Sequence, residues 1–144
     1  MSVADLLKET ALFSGLSDDE LGAVVNLCVE RSFPAGSIVI RQGDVGDEMF
    51  IIQDGQIEIV VVGSRPELRV VVLGKGQILG EMSLLDMGFR SATARTAMAA
   101  TLQVIKQADF TALCEQDYRI GYAVMRNLAA DLSFKLRHRN LATM

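Results

Sequence analysis

The chain has 144 residues, of which 50% are hydrophobic and 22% are charged, a balance typical of one globular domain and not of a disordered chain. Its formal net charge of -4 argues against a protein that binds nucleic acid directly. Cys28 and Cys114 form no CxxC pair, so both are expected to be buried thiols. We find neither a signal peptide nor an apolar run long enough to span a bilayer, so we expect a cytoplasmic chain that contacts no membrane.

The N-terminal region is predicted to be helical. Apolar residues follow helical spacings between residues 4 and 12. Ser17, with Glu20 three residues later, matches the capping box that begins a second helix. An amphipathic stripe then continues through residues 21–29, so helices are expected within residues 1–32.

Residues 33–107 are predicted to form a β-roll, because short alternating strands are separated by glycines. Asp54-Gly55 is a strong signal for a tight hairpin, and residues 63–67, which include Pro66, are predicted to be a loop. The predicted strands are residues 37–41, 49–53, 56–62, 68–73, 91–96 and 101–106.

Residues 108–139 are predicted to be helical again. Asp109 is expected to cap a helix that runs to about residue 114. A long helix is predicted over residues 118–139, and its cationic end suits the helix dipole. Its apolar positions step by four and are Ile120, Val124, Leu128, Leu132 and Leu136.

The residues that catalysis or metal binding would need are scarce. His138 is the one histidine of the sequence, so a Ser-His-Asp triad or a transition-metal site is not expected. Asp44, Asp47 and Glu48 could form an all-oxygen site, but acidic residues in such a segment usually belong to turns. We therefore predict no catalytic residue, no metal and no enzyme activity.

Residues 80–94 carry the functional signal. Arg90 offers paired planar donors for phosphate oxygens, Glu81 could accept from a ribose hydroxyl, and Gly80 allows close approach of the backbone. A short helical turn near Glu81 would also present unpaired N–H groups to an anion. From spacing alone, a surface ion pair between Glu81 and Arg90 is the commoner explanation.

This segment closely resembles the phosphate-binding cassette of the cyclic-nucleotide-binding domain family, which includes cAMP-dependent kinase regulatory subunits, the catabolite activator protein and cyclic-nucleotide-gated channels. Gly80-Glu81 and Arg90-Ser91-Ala92-Thr93 match the family pattern. The glycine framework matches in residues 33–36, 42–44 and 49–55, and the resemblance covers residues 10–137. It implies one domain, residues 1–144, with an antiparallel β-roll (jelly-roll-like, a double-stranded β-helix), N-terminal helices and a long C-terminal helix. The cassette would occupy residues 80–93.

The resemblance implies six ligand-binding residues, Gly80, Glu81, Met82, Ser83, Arg90 and Ser91. Glu81 would accept from the ribose 2′-hydroxyl, and Arg90 would pair with the cyclic phosphate. The backbone N–H groups of Ser83 and Ser91 would also face the phosphate. Phe89 stands where the family often has proline, and Ser91 favours cAMP over cGMP as the ligand. No other cofactor is implied.

Three functional hypotheses follow. The first is a sensor in which the cyclic nucleotide repositions the C-terminal helix, which could also pair in a homodimer, to act on an effector that the sequence does not name. The second is a protein-interaction module that has the fold but binds no nucleotide. The third is the sensor half of a transcription regulator whose DNA-binding domain is absent, since few residues follow the last helix.

Overall fold

The computed structural model describes residues 1–61, 69–85 and 88–143. In chain order its elements are α1 (Val3–Glu9), the 3₁₀ helix Ala11–Phe13, α2 (Asp18–Val25), β1 (Val29–Phe33), β2 (Ile38–Ile40), β3 (Glu48–Asp54), β4 (Ile57–Val61), β5 (Arg69–Leu73), β6 (Ile78–Leu79), the 3₁₀ turn Glu81–Leu84, β7 (Thr93–Thr96), β8 (Ala100–Lys106), α3 (Gln107–Gln116) and α4 (Tyr118–Thr143). The predicted loop at residues 63–67 lies outside the described residues, as do residue 68, where the next strand is predicted to begin, and residues 86–87 of the cassette.

The strands form two four-stranded antiparallel sheets, in the orders β1-β8-β3-β6 and β2-β7-β4-β5. The chain passes between the sheets several times, since β2 joins one sheet and β3 the other. The predicted antiparallel β-roll with flanking helices and a long C-terminal helix is therefore confirmed.

The central strand β3 is buried on both faces and divides the core. Met49 and Ile51 belong to a cluster shared with the helices, whereas Phe50 and Ile52 belong to a cluster inside the roll. This split follows from the strand period of two, which points successive side chains to opposite faces. One sheet thus lies between the helices and the second sheet.

The N-terminal helices end earlier than predicted. The capping box is present, because Ser17 Oγ accepts from the Glu20 N–H and Glu20 Oε1 accepts from the Ser17 N–H. The prediction that helical structure continues through Val29 to residue 32 is wrong. Residues 29–33 form β1, which pairs along its whole length with β8, so the roll begins at Val29. Local apolar spacing does not report this pairing with a strand about 70 residues away.

Helix α3 begins at Gln107, and the prediction that Asp109 caps it is wrong. Lys106 occupies the N-cap position and makes no side-chain capping bond. The Gln107 N–H instead donates to the main-chain carbonyl of Asp47 at 2.9 Å. A carbonyl from the turn before β3 satisfies this donor, and Asp109 lies in the first turn, where a carboxylate suits the helix dipole.

The first half of α4 is tied to the N-terminal helices. Asn127 Nδ2 donates to the carbonyls of Leu12 and Ser14 at 2.9 and 2.8 Å, and Arg119 pairs with Glu20 at 2.9 Å. Three of the predicted apolar positions are almost fully buried here, Ile120, Val124 and Leu128.

The second half of α4 emerges from the fold. Leu132 is partly buried, whereas Phe134 and Leu136 are 61% and 58% exposed. The apolar stripe of the sequence is thus continuous, but only its first part packs against the core. A division near residue 131 separates an anchored segment from an exposed one.

Cys28 and Cys114 are free, half-buried thiols. Burial raises the pKa of Cys28 to about 11, and burial together with Asp117 raises the pKa of Cys114. Both therefore stay protonated near neutral pH. Among the described helices, none is sufficiently long and apolar to cross a bilayer.

We expect Gly80→Ala to destabilise the fold by about 1–3 kcal/mol, because Gly80 has a φ of 74° in the left-handed region. An added Cβ would also lie 2.5 Å from Arg90 Nη1 and 2.9 Å from the Glu48 carbonyl oxygen. Gly74→Ala is the control, because a Cβ there meets no atom within 4 Å. Equal urea-unfolding midpoints for the two variants would contradict the claim that position 80 requires glycine for its left-handed backbone and its close contacts.

Candidate functional site

A cavity of about 360 Å³ opens between the roll and the 3₁₀ turn Glu81–Leu84. All six predicted site residues line it: Gly80, Glu81, Met82, Ser83, Arg90 and Ser91. Gly80 and Arg90, which are ten positions apart in sequence, therefore line the same cavity. The hydrogen bonds and charges around these residues determine which ligand the cavity can hold.

A short backbone ladder holds the segment that carries Arg90. The Arg90 N–H donates to the Asp44 carbonyl at 2.7 Å, and the Gly43 N–H donates to the Arg90 carbonyl at 2.9 Å. One position earlier, Val45 and Phe89 form an antiparallel bridge. The turn between β2 and β3 thus fixes the main chain of Arg90, whatever its side chain contacts.

The Arg90 side chain is held between two main-chain carbonyls. Its Nη2 donates to the Glu48 carbonyl at 2.5 Å and its Nη1 to the Gly80 carbonyl at 3.3 Å. These bonds fix the position of a planar donor group that belongs to the lining of the cavity. Because the partners are neutral carbonyls, the charge of the guanidinium is not cancelled by them.

The electrostatics keep a cation at this position. Burial lowers the pKa of Arg90, while the nearby carboxylates of Asp47, Glu48 and Glu81 oppose that shift. An arginine in a protein remains protonated at neutral pH, so the site carries a half-buried positive charge. The carboxylate of Glu48 pairs with Arg31 at 3.1 Å, and the hydrogen bond from Arg90 goes to the Glu48 carbonyl.

Glu81 and Arg90 do not form an ion pair with each other among the described salt bridges, although both line the cavity. The surface ion pair that spacing alone would favour is therefore absent for these two described residues. The Glu81 carboxylate is left half-buried beside the cavity. It is available to accept hydrogen bonds from a polar ligand group.

The turn after Gly80 is tightened by Ser83. The Ser83 hydroxyl donates to the Gly80 carbonyl at 2.8 Å, and the Ser83 N–H donates to the same oxygen at 3.2 Å. The resemblance assigns this N–H to a phosphate, but here it takes part in the 3₁₀ turn. Two further lining residues are open to solvent, since Ser91 is exposed and Met82 is about half exposed.

Sequence reasoning missed two residues of the site. A Cβ on Gly46 would lie 2.5 Å from Arg90 Nε, so this glycine makes room for the guanidinium. The sequence marks Gly46 as a turn residue, but the contact with Arg90 depends on the tertiary fold. Lys135 of α4 also lines the cavity, and no local motif marks it.

The remaining walls of the cavity are largely apolar. They come from five strands and suit a flat ring that carries few polar groups. The apolar side chains concerned are Ile40 (β2), Ile59 (β4), Leu73 (β5), Ile78 and Leu79 (β6), and Ala94 (β7). One end of the space is thus charged and hydrogen-bonding, and the rest is suited to an aromatic or aliphatic group.

Comparisons with known proteins agree with this arrangement. The sequence profile of the family described as "Cyclic nucleotide-binding domain" matches residues 30–117. The cyclic AMP receptor protein of Thermus thermophilus is 31% identical over 137 residues, which are 94% of this chain and 61% of that protein. The chain therefore spans about three fifths of this curated relative.

Solved structures share the fold. The crystal structure of the Thermus thermophilus catabolite activator protein gives a TM-score of 0.82 at 31% identity, covering 93% of this chain and 62% of that one. The regulatory domain of Toxoplasma gondii PKA, co-crystallised with cAMP, gives 0.70 at 31% identity, covering 76% and 42%. Since the family profile matches more than half of the residues, the chain belongs to the cyclic nucleotide-binding domain family.

Proposed function

We propose that this domain is a regulatory, non-enzymatic sensor that binds cAMP in the cavity lined by the 3₁₀ turn and Arg90. The observation that carries the proposal is the convergence of Gly80, Glu81 and Arg90 on one space that also has apolar walls. A cyclic nucleotide has the matching parts, which are an anionic phosphate, a ribose hydroxyl and a flat purine.

Arg90 is the proposed phosphate ligand. A guanidinium offers five N–H donors in one plane, so it can keep its carbonyl partners and still donate to phosphate oxygens. Its preset orientation, between the Glu48 and Gly80 carbonyls, means that little side-chain entropy is lost on binding. The Ser91 N–H is proposed as a second phosphate donor, because it has no main-chain partner among the described hydrogen bonds.

Glu81 is the proposed ribose ligand. A carboxylate is an acceptor without donors at neutral pH, so it suits the 2′-hydroxyl of a ribose and repels a phosphate. Its position at the first residue of the 3₁₀ turn keeps it close to Gly80, where the backbone approaches the ligand. Met82 follows at the mouth and would cover the sugar with apolar surface.

The base would lie against the apolar walls. Adenine is the proposed base because Ser91, rather than threonine, follows Arg90 and because a similar regulatory domain, that of Toxoplasma gondii PKA, was crystallised with cAMP. cGMP is the competing ligand, and direct titration with both nucleotides separates the two.

The proposed output is a movement of the second half of α4. The first half is held by Asn127 and Arg119, so a ligand would act on the exposed residues 132–138. Lys135 places this segment at the cavity wall. A ligand can shift such an equilibrium only through its different affinities for the two positions of the helix.

The wider role is also a proposal. Similarity to the cyclic AMP receptor protein over 94% of this chain favours the sensor part of a cytoplasmic regulator, in which a further domain would act on DNA. Dimerisation through α4, with exposed Phe134 and Leu136, would fit such a regulator. The effector itself is not identified by the chemistry of this chain.

Arg90→Ala is expected to weaken cAMP binding at least about tenfold in calorimetric titration, because a charge-assisted hydrogen bond contributes about 1.5–3 kcal/mol. Arg95→Ala is the matched control. Arg95 pairs with Glu58 at 2.8 Å and is absent from the cavity lining, so its loss should change the affinity little.

If the parent protein binds neither cAMP nor cGMP, the sensor proposal fails and the protein-interaction module becomes the better explanation. If the parent binds and both arginine variants lose affinity equally, the phosphate lies elsewhere. Thermal unfolding of each variant establishes that the fold has been kept.

The assignment of Glu81 is tested with 2′-deoxy-cAMP. The parent is expected to bind this analogue about tenfold more weakly than cAMP, because a hydrogen bond to a charged acceptor is lost. In Glu81→Ala the two ligands should bind with nearly equal affinity, since the acceptor has been removed. A constant ratio in both proteins would exclude Glu81 as the partner of the 2′-hydroxyl.

The proposed movement of α4 is tested by amide hydrogen exchange. Saturating cAMP is expected to slow or accelerate exchange in residues 132–138 and to leave residues 119–128 unchanged, because the latter are anchored in both states. Exchange that stays the same in residues 132–138 would remove α4 from the output mechanism.

A further inference from the structure

A second cavity, of about 410 Å³, adjoins the first one, because Leu73, Ile78, Glu81 and Lys135 line both. Its other walls come from the end of α1 with the segment that follows it, from the turn between β5 and β6, and from α4. A space of this size accommodates a small organic molecule. The proposed function assigns no ligand to it.

Two side-chain amides in this lining are each tied at one end. Gln77, in the turn between β5 and β6, accepts the Gly74 N–H on its Oε1 at 2.8 Å. Asn127, in α4, uses its Nδ2 to donate to the Leu12 and Ser14 carbonyls at 2.9 and 2.8 Å. Among the described hydrogen bonds, Gln77 therefore keeps its N–H donors free and Asn127 keeps its Oδ1 acceptor free. The two amides thus offer opposite hydrogen-bonding groups to a ligand.

A charged residue of matching character accompanies each amide. Lys75 lies in the same turn as Gln77 and forms none of the described ion pairs. Asp131 lies four residues after Asn127, so both are on one face of α4. Asp131 pairs with Lys135 at 2.9 Å, and these side chains are 50% and 62% exposed. Such a pair contributes little to stability, so Asp131 can exchange it for a ligand cation. Lys75 and Gln77 thus form a donor pair, and Asn127 and Asp131 form an acceptor pair.

The main chain beneath both pairs is fixed. The Ile52 N–H of β3 donates to the Gln77 carbonyl at 3.0 Å, and the Gly76 N–H donates to the Ile52 carbonyl at 2.8 Å. These two bonds attach the turn that carries the donor pair to the central strand. The acceptor pair follows the anchored first half of α4, where Asn127 is itself the anchor. Little conformational entropy of the backbone would therefore be lost when a ligand binds.

The charges of the lining nearly cancel. Among the described residues, three carboxylates, of Glu9, Glu81 and Asp131, accompany two ammonium groups, of Lys75 and Lys135. A lining of this kind disfavours a ligand that carries several charges of one sign, because like charges would then face each other. It suits a molecule that has one negative and one positive group.

We propose that the second cavity binds a small aliphatic zwitterion of the amino-acid class, with its carboxylate on the donor pair and its ammonium on the acceptor pair. A carboxylate only accepts hydrogen bonds and an ammonium only donates them, so each end of the ligand matches one pair. The aliphatic part would lie against the apolar lining. The apolar residues concerned are Ala11, Leu12, Leu73, Ile78 and Leu128. None of the four polar residues lines the first cavity, so the proposal does not depend on cAMP binding.

Calorimetric titration of the parent chain tests the proposal with two probes. L-leucine carries its charged groups on one carbon, and 6-aminohexanoate carries them at its two ends. At least one probe should show saturable binding. Its analogues with one charge should bind at least about tenfold more weakly, since one charge-assisted contact is lost. These analogues are 4-methylpentanoate and 3-methylbutylamine for leucine, and hexanoate and pentylamine for 6-aminohexanoate.

Two variants check the assigned residues. Lys75→Met and Asp131→Asn should each weaken the bound probe at least about tenfold, because each removes one charged partner. Lys106→Met and Asp109→Asn are the matched controls and should leave its affinity unchanged, since neither residue lines either cavity. All four positions are exposed, so the variants should keep the fold, which thermal unfolding verifies.

The two cavities are separated by a third variant. Arg90→Ala should weaken cAMP and leave the probe unchanged, whereas Lys75→Met should do the reverse. The inference is overturned if neither probe binds at about 10 mM, where a ligand with a millimolar Kd would be mostly bound. It is also overturned if the analogues with one charge bind equally well, or if the control variants lose the same affinity. If the probe binds and cAMP does not, the proposed function alone has failed.

Discussion

A half-buried positive charge at Arg90 is the constraint on which the candidate site depends. The charge is held next to a cavity by two main-chain carbonyls, of Glu48 and Gly80, and Arg90 takes part in none of the described salt bridges. Gly80 can offer its carbonyl only because its left-handed backbone has no side chain in the way, and Gly46 leaves room for the guanidinium from the other side. The segment that carries Arg90 is fixed in turn by its backbone ladder to the turn before β3. One charge thus links the sheet, the turn and the cassette.

Strand β3 connects the position of Arg90 to the helices. Strand β3, whose first carbonyl binds Arg90, is also the strand whose alternate side chains pack against the helical cluster. Helix α4 begins in that same cluster, and its residue Lys135 lines the cavity. A ligand that reorganises the cavity therefore contacts two elements whose other ends share one apolar core. Close packing of that core supports the proposal that a ligand would move only the free end of α4.

Much of this arrangement could be predicted from the sequence, since glycines, turn signals and alternation identify the roll, and Gly80-Glu81 with Arg90-Ser91 identifies the cassette. The capping box at Ser17 was equally readable, because it depends on residues three positions apart. The predictions that failed concern features that depend on residues distant in sequence. Strand β1 is recognised through its pairing with β8, and α3 is capped by the carbonyl of Asp47. Gly46 and Lys135 reach the site through tertiary packing alone, so no local pattern distinguishes them.

A crystal structure of the protein grown with cAMP tests the central claim most directly. The account predicts the cyclic phosphate within hydrogen-bond distance of the Arg90 guanidinium, the ribose 2′-hydroxyl on Glu81 and the base against the apolar walls of the roll. A nucleotide bound in the second cavity, or a phosphate that contacts neither Arg90 nor the backbone of residues 80–91, would contradict it.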